Sequence, residues 1–185
     1  PPLVLVFAAS DPTGGAGIQA DIMTISSMGC HPLTVITGLT GATAQVALYG
    51  AIELVLGVTG TQGASLIVRM LCKLLNLSGL HTGAVCSEGM YLDQRRVVSS
   101  DCVNWDAGQR LLLNRTVQTA LFESNPRMIL AEGLAYDKCQ VGIVTDMGSL
   151  DSVKDFDVLD DAGLYKVVRS QVDVVVPSGV AVLHA

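Results

Sequence analysis

Residues 58–66, VTGTQGASL, have the types and spacing of a loop that holds phosphate. Such a loop is glycine-rich and joins a strand to a helix. Its backbone N–H groups close on phosphate oxygens, a lysine reaches the β/γ-phosphates, and the next Ser or Thr hydroxyl holds Mg²⁺. Gly60, Thr61, Gln62, Gly63 and Ser65 fit this pattern, while Ala64 stands where the lysine would be. Phosphoryl transfer rests on positioning and charge neutralisation, so losing that lysine should cost roughly a hundredfold to a thousandfold in rate. Backbone donors from Thr61 to Ser65 do not depend on the side chain at position 64, which leaves weak binding of phosphate or sulfate as the expectation. The alternative is a tight turn in which glycine only permits close packing.

A second glycine-rich junction, SDPTGGAGIQAD, occupies residues 10–21. Asp11, Asp21 and Gln19 either cap and brace the helix that follows or face a ligand. Both junctions need a strand before them and a helix after them, and the chain supplies these in alternation. Strands are expected at 3–8, 33–38, 53–58, 82–86, 117–122, 141–145, 172–176 and 180–183. Helices are expected at 15–28, 64–77, 105–113 and 160–170, with a short one near 127–133 and a hairpin over 90–98. This order predicts an α/β fold, three layers with a mostly parallel sheet and helices on both faces. In such a sheet, ligands gather at the carboxyl ends of the strands. Met23 and Met28 read as core filler, and Asn104 or Asp106 as a cap for the helix that opens at Trp105.

The chain of 185 residues is half hydrophobic and 15% charged, which excludes a disordered chain, and no apolar run reaches the roughly 18 residues of a membrane span. Its net charge of −6 would repel a phosphate backbone, so neither nucleic acid nor membrane is an expected partner. Cys30, Cys72, Cys86, Cys102 and Cys139 show no metal-type spacing, which suits a reducing cytoplasm and buried thiols. The apolar start, PPLVLVFAAS, reads as a first strand rather than a leader.

Residues 1–40, above all SDPTGGAGIQAD, closely resemble the N-terminus of hydroxymethylpyrimidine (phosphomethylpyrimidine) kinase of the ribokinase-like fold. The resemblance implies pyrimidine contacts from Asp11 and Gln19. The glycine-rich anion hole of that family, with its catalytic base, has no counterpart after residue 40. From about residue 52 to 185, stretches such as LGVTGTQGASLIVRML, NWDAGQRLLLNRTVQTALFES and ILAEGLAYDKCQVGIVTDMG resemble the Mur-ligase-like ATPase domain of cyanophycin synthetase. That family activates a carboxylate with ATP and attacks it with an amine. The resemblance implies nucleotide or phosphate contacts from residues 60–65, and Mg²⁺ held by Ser65 and Glu123, with ATP and Mg²⁺ as the cofactors. It also brings departures: the segment SLDSVKD places Asp151 or Ser152 where the family has a histidine, SNPRMI replaces an arginine-glycine stretch, and Thr145-Asp146 replaces a Thr-Asn pair.

Two resemblances meeting near residues 41–52 point to recombined fragments of two α/β proteins. The expectation is one α/β domain over 1–185, a kinase-like βαβ segment at 1–50 joined to a truncated ligase-like ATPase segment at 51–185. Catalysis is expected to be silent, with an active ATP-binding ligase fragment or a pyrimidine-binding kinase remnant as alternatives. Open sheet edges and a mean hydropathy of +0.49 predict a homodimer or larger self-assembly.

Overall fold

The computed structural model describes residues 2–10, 17–39 and 52–184, and the chain falls into two compact units, Pro1–Tyr49 and Gly50–Ala185. In the first unit, strand β1 (Leu3–Ser10) lies parallel to strand β2 (His31–Leu39), and helix α1 (Gly17–Ser27) forms the crossover. The register starts at Leu3↔His31 and shifts between Ala8 and Ala9. Ile18 is buried, and Ile22 and Ile25 follow it at helical spacing, half-buried. Met23 and Met28 are not core filler: they are 73% and 74% exposed. Met23 is off the isoleucine stripe, and Met28 lies past the helix end.

The second unit is built on a seven-stranded sheet. Its elements are β3 (Leu54–Thr59), α2 (Ala64–Leu77), β4 (Thr82–Cys86), β5 (Gly89–Leu92), β6 (Arg95–Val98), α3 (Trp105–Leu112), β7 (Thr119–Ser124), α4 (Pro126–Glu132), β8 (Cys139–Val144), two short 3₁₀ turns, α5 (Asp161–Asp173) and β9 (Val175–Leu183). The strand order is β6-β5-β4-β7-β3-β8-β9. From β4 to β9 all neighbours are parallel, and β5 and β6 add the expected antiparallel hairpin at one edge.

Alternation along β3 sends its side chains to two layers. Leu56 and Val58 pack with Ala64, Val68 and Cys72 of α2 and with Ala84, Cys86 and Leu121 of the neighbouring strands. On the other face, Gly57 and Thr59 meet Gln171 of α5, and a Cβ at Gly83 would run into Leu111 of α3. Helices therefore cover both faces, as the sequence order implies. Asn104 caps α3 by accepting from the Ala107 N–H at 2.8 Å, and Asn125 and Asp160 do the same for α4 and α5.

One expectation fails at the C-terminal end. Residues 172–176 and 180–183 are not two strands separated by Pro177-Ser178-Gly179; α5 runs on to Asp173 and β9 is continuous from Val175 to Leu183. The pairing jumps from Cys139↔Val175 to Val141↔Val180, so the Pro-Ser-Gly stretch is absorbed as an irregularity. An edge strand tolerates proline because the missing N–H faces no partner. Among the described residues, no helix is long and apolar enough to cross a membrane.

Candidate functional site

Because β3, β7 and β8 run parallel and in register, their carboxyl ends reach one edge of the sheet, with Val58 opposite Glu123, Thr59 opposite Ser124, and Thr59 opposite Val144. The chain leaves β3 through Gly60-Thr61-Gln62-Gly63 and turns directly into α2. Gly63 takes a left-handed φ of 73° at the helix start and offers no side-chain cap. VTGTQGASL thus joins a strand to a helix through a tight glycine turn.

The loop's donors converge on Asp146, two residues beyond β8. Its carboxylate accepts from the Thr61 N–H at 3.0 Å, the Gln62 N–H at 3.1 Å, the Thr61 hydroxyl at 2.6 Å, the Thr145 hydroxyl at 3.1 Å and the Gly148 N–H at 2.9 Å. Every one of these partners is neutral. Burial raises the Asp146 pKa, but the hydrogen bonds from Thr61, Gln62 and Thr145 outweigh it and hold the carboxyl below the usual carboxylate range. The approach depends on Gly60: a Cβ there would lie 1.8 Å from Thr145 Oγ1 and 2.8 Å from Asp146 Oδ2. The sequence marks Asp146 as a charge added near the loop; the fold shows that backbone and hydroxyl donors meet that charge.

Ala64 is 2% exposed and packs into the core cluster with Leu56, Val58 and Val68. Ser65 follows it on the first turn of α2, half-buried. Glu123, at the end of β7, accepts from the Ser87 N–H at 2.7 Å and from the Ser87 hydroxyl at 3.2 Å. Burial lifts its pKa above the ordinary glutamate value, and the Ser87 donors offset only part of that shift. Among the described residues, no group of three or more His, Cys, Asp and Glu side chains is arranged to hold a metal ion.

The positions that depart from the ligase pattern are engaged with one another. Asp151 pairs with Lys154 at 2.8 Å, the Ser152 hydroxyl donates to the Ser149 carbonyl, and Arg127 binds Asp155 at 3.2 Å while lying over the Phe156 ring. In the first unit, Gln19 lies on α1, and Asp11 falls outside the described residues.

A buried network behind the loop is not singled out by the sequence. Gln171 is fully buried; its Oε1 accepts from Thr59 Oγ1 at 3.1 Å and from the Tyr136 hydroxyl at 2.6 Å, and its Nε2 donates to Cys139 Sγ at 3.5 Å. Burial drives the Tyr136 pKa strongly upward, so the hydroxyl stays a donor. No local signal marks it: Gln171 lies in a helix beside Arg169, Ser170 and Asp173, where a polar residue is ordinary.

Residues 11–73 match the family model described as phosphomethylpyrimidine kinase, a match that runs past residue 40 and through the loop. The hydroxymethylpyrimidine/phosphomethylpyrimidine kinase of Streptomyces coelicolor is 48% identical over 54 residues, 29% of this chain and 20% of that protein. The cyanophycin synthetase of Synechocystis sp. is 31% identical over 132 residues, 71% of this chain; the chain spans only 15% of that relative's length. The solved structure of a UDP-N-acetylmuramoyl-L-alanyl-D-glutamate–2,6-diaminopimelate ligase superposes with a TM-score of 0.50 at 11% identity, over 98% of this chain and 45% of its own. Two similarities therefore meet in one chain, a phosphomethylpyrimidine-kinase-like N-terminal part and a cyanophycin-synthetase-like stretch over most of the chain, on an α/β fold like that of the Mur-type ligase.

Proposed function

We propose that the unit Gly50–Ala185 is a ligase-derived module that no longer transfers phosphoryl groups. The observation that carries this reading is Ala64: the position of the phosphate-binding lysine is 2% exposed and belongs to the hydrophobic core. A phosphate at the loop would find no cationic side chain there to neutralise it, and Asp146 adds negative charge at the same place. Residues 60–65 are the remnant of a nucleotide site, with Ser65 and Glu123 the remaining candidates for Mg²⁺. Asp11 and Gln19 hold the corresponding place in a pyrimidine-site remnant.

The test is thermal unfolding and ADP release with and without Mg-ATP, with Ala64→Lys in parallel. A ligand that binds only the folded state stabilises it by RT ln(1 + [L]/Kd), about 1.4 kcal/mol at ten times Kd. No shift at about 5 mM ATP in the native chain is expected, corresponding to a Kd above about that value. A clear upward shift with ADP release would favour the second reading, an active ATP-binding ligase fragment.

We also propose self-association. β9 is an edge strand with Val180, Val182 and Leu183 exposed, and such an edge favours pairing with another copy. Light scattering giving a monomer mass at micromolar concentration would refute it. The five free cysteines support a cytoplasmic setting.

A further inference from the structure

We propose that Asp146 is the loop's own anion: its carboxylate takes the N–H donors of Thr61 and Gln62 that would otherwise face a phosphate, and so closes the loop to phosphate. This deepens the reading above and rests on it, since it treats residues 60–65 as a former phosphate loop. A carboxylate is acceptor-only, with about four lone-pair sites on two oxygens. Here those sites are met by Thr61 N–H and hydroxyl, Gln62 N–H, Thr145 hydroxyl and Gly148 N–H, at 2.6 to 3.1 Å. An asparagine at this position would turn an NH₂ group, itself a donor, toward some of the same donors. The acid therefore suits this surrounding better than the amide.

The approach is built in from both strands. Gly60 lacks the Cβ that would strike Thr145 Oγ1 and Asp146 Oδ2, and a Cβ at Gly148 would strike Thr61 Cγ2 at 2.8 Å. The Thr145 N–H also donates to the Thr59 carbonyl at 2.9 Å, which extends the β3–β8 pairing up to the contact. The loop thus closes on a side chain of its own, which takes the N–H donors of Thr61 and Gln62. An entering phosphate would lose the Thr61 and Gln62 donors to Asp146 and meet a like charge beside them.

The experiment uses the full chain, labelled with ¹⁵N and titrated with inorganic phosphate at neutral pH and constant ionic strength. The amides of Thr61, Gln62 and Gly148 report the contact. In the native chain they should stay unmoved up to about 50 mM phosphate, whereas in Asp146→Asn, and in Asp146→Ser as a second variant, they should move with an apparent affinity at least about tenfold higher. Amides in the native chain that shift with phosphate as they do in the variants would overturn the proposal. So would a folded variant that gains no response. One arm needs no variant: on acid titration of the native chain, the Thr61 and Gln62 amides should follow the Asp146 carboxyl with a common midpoint, and amides indifferent to it would also overturn the proposal. ATP turnover by the native chain would refute the silent-module reading, while the amide response would still decide the role of Asp146.

Discussion

Replacing Gly57 by alanine tests whether the buried network behind the loop is as tightly built as its geometry implies. A Cβ at position 57 would lie 1.9 Å from the Tyr136 hydroxyl and 2.5 and 2.6 Å from Gln171 Oε1 and Nε2, far inside contact distance. Either β3 shifts or the Tyr136–Gln171 bond breaks. Overpacking a well-filled core costs about 1–3 kcal/mol, and stranding a buried hydroxyl costs about 1–3 kcal/mol more. Gly57→Ala should therefore lose about 4 kcal/mol, read as a drop in urea midpoint and a fall in Tm of about 8–16 °C for a chain of this size. Tyr136→Phe alone removes one hydrogen bond and leaves Gln171 Oε1 its Thr59 partner, a loss of about 1 kcal/mol. It also removes the nearest atom in the clash. The double variant should then be more stable than the sum of the two losses predicts, with a coupling of about 1 kcal/mol or more. A Gly57→Ala protein within about 0.5 kcal/mol of the native chain, or a strictly additive pair, would refute the reasoning.

The two acids at the sheet edge should give opposite pH dependences. Asp146 has a depressed pKa, so its contribution to stability is present above the ordinary aspartate value and lost as pH falls through its folded value; Asp146→Asn should abolish that acid-side loss in urea midpoints. Glu123 has a raised pKa, so stability is fully present below the ordinary glutamate value and declines as pH rises through its folded value; Glu123→Gln should remove that decline. Native-like pH slopes in both variants would contradict these assignments. At α3, Asn104→Ala should cost about 1 kcal/mol by chemical denaturation through loss of the Ala107 N–H cap, and Asn104→Ser should restore most of it.

Much of the fold is legible in the sequence because the local signals agree. Apolar runs such as ELVLGV and TGAVC, separated by segments of helical period, give the strands and helices of the sheet to within a few residues. Asn104 announces its helix, and the MYLDQRRVV hairpin emerges where its turn residues place it. The C-terminal strand is misread because Pro177 and Gly179 are local breakers, whereas membership in an edge strand is decided by the neighbour Cys139–Val144. Met23 and Met28 mislead for a related reason: hydrophobicity says that a side chain can be buried, and only helix phase against the sheet says which one is.

The amino-acid order by itself determines that 60–65 is a glycine-rich loop between a strand and a helix with alanine, not lysine, at position 64, because these are properties of residue type and neighbour spacing. Tertiary structure alone decides where the loop's donors point. Thr61 and Asp146 are 85 residues apart, and they meet because β3 and β8 pair in parallel and end together, which no local pattern encodes. On the other face of β3, the packing of α5 on the sheet brings Gln171 to Thr59 across 112 residues and makes Gly57 a position where a single added carbon has no room.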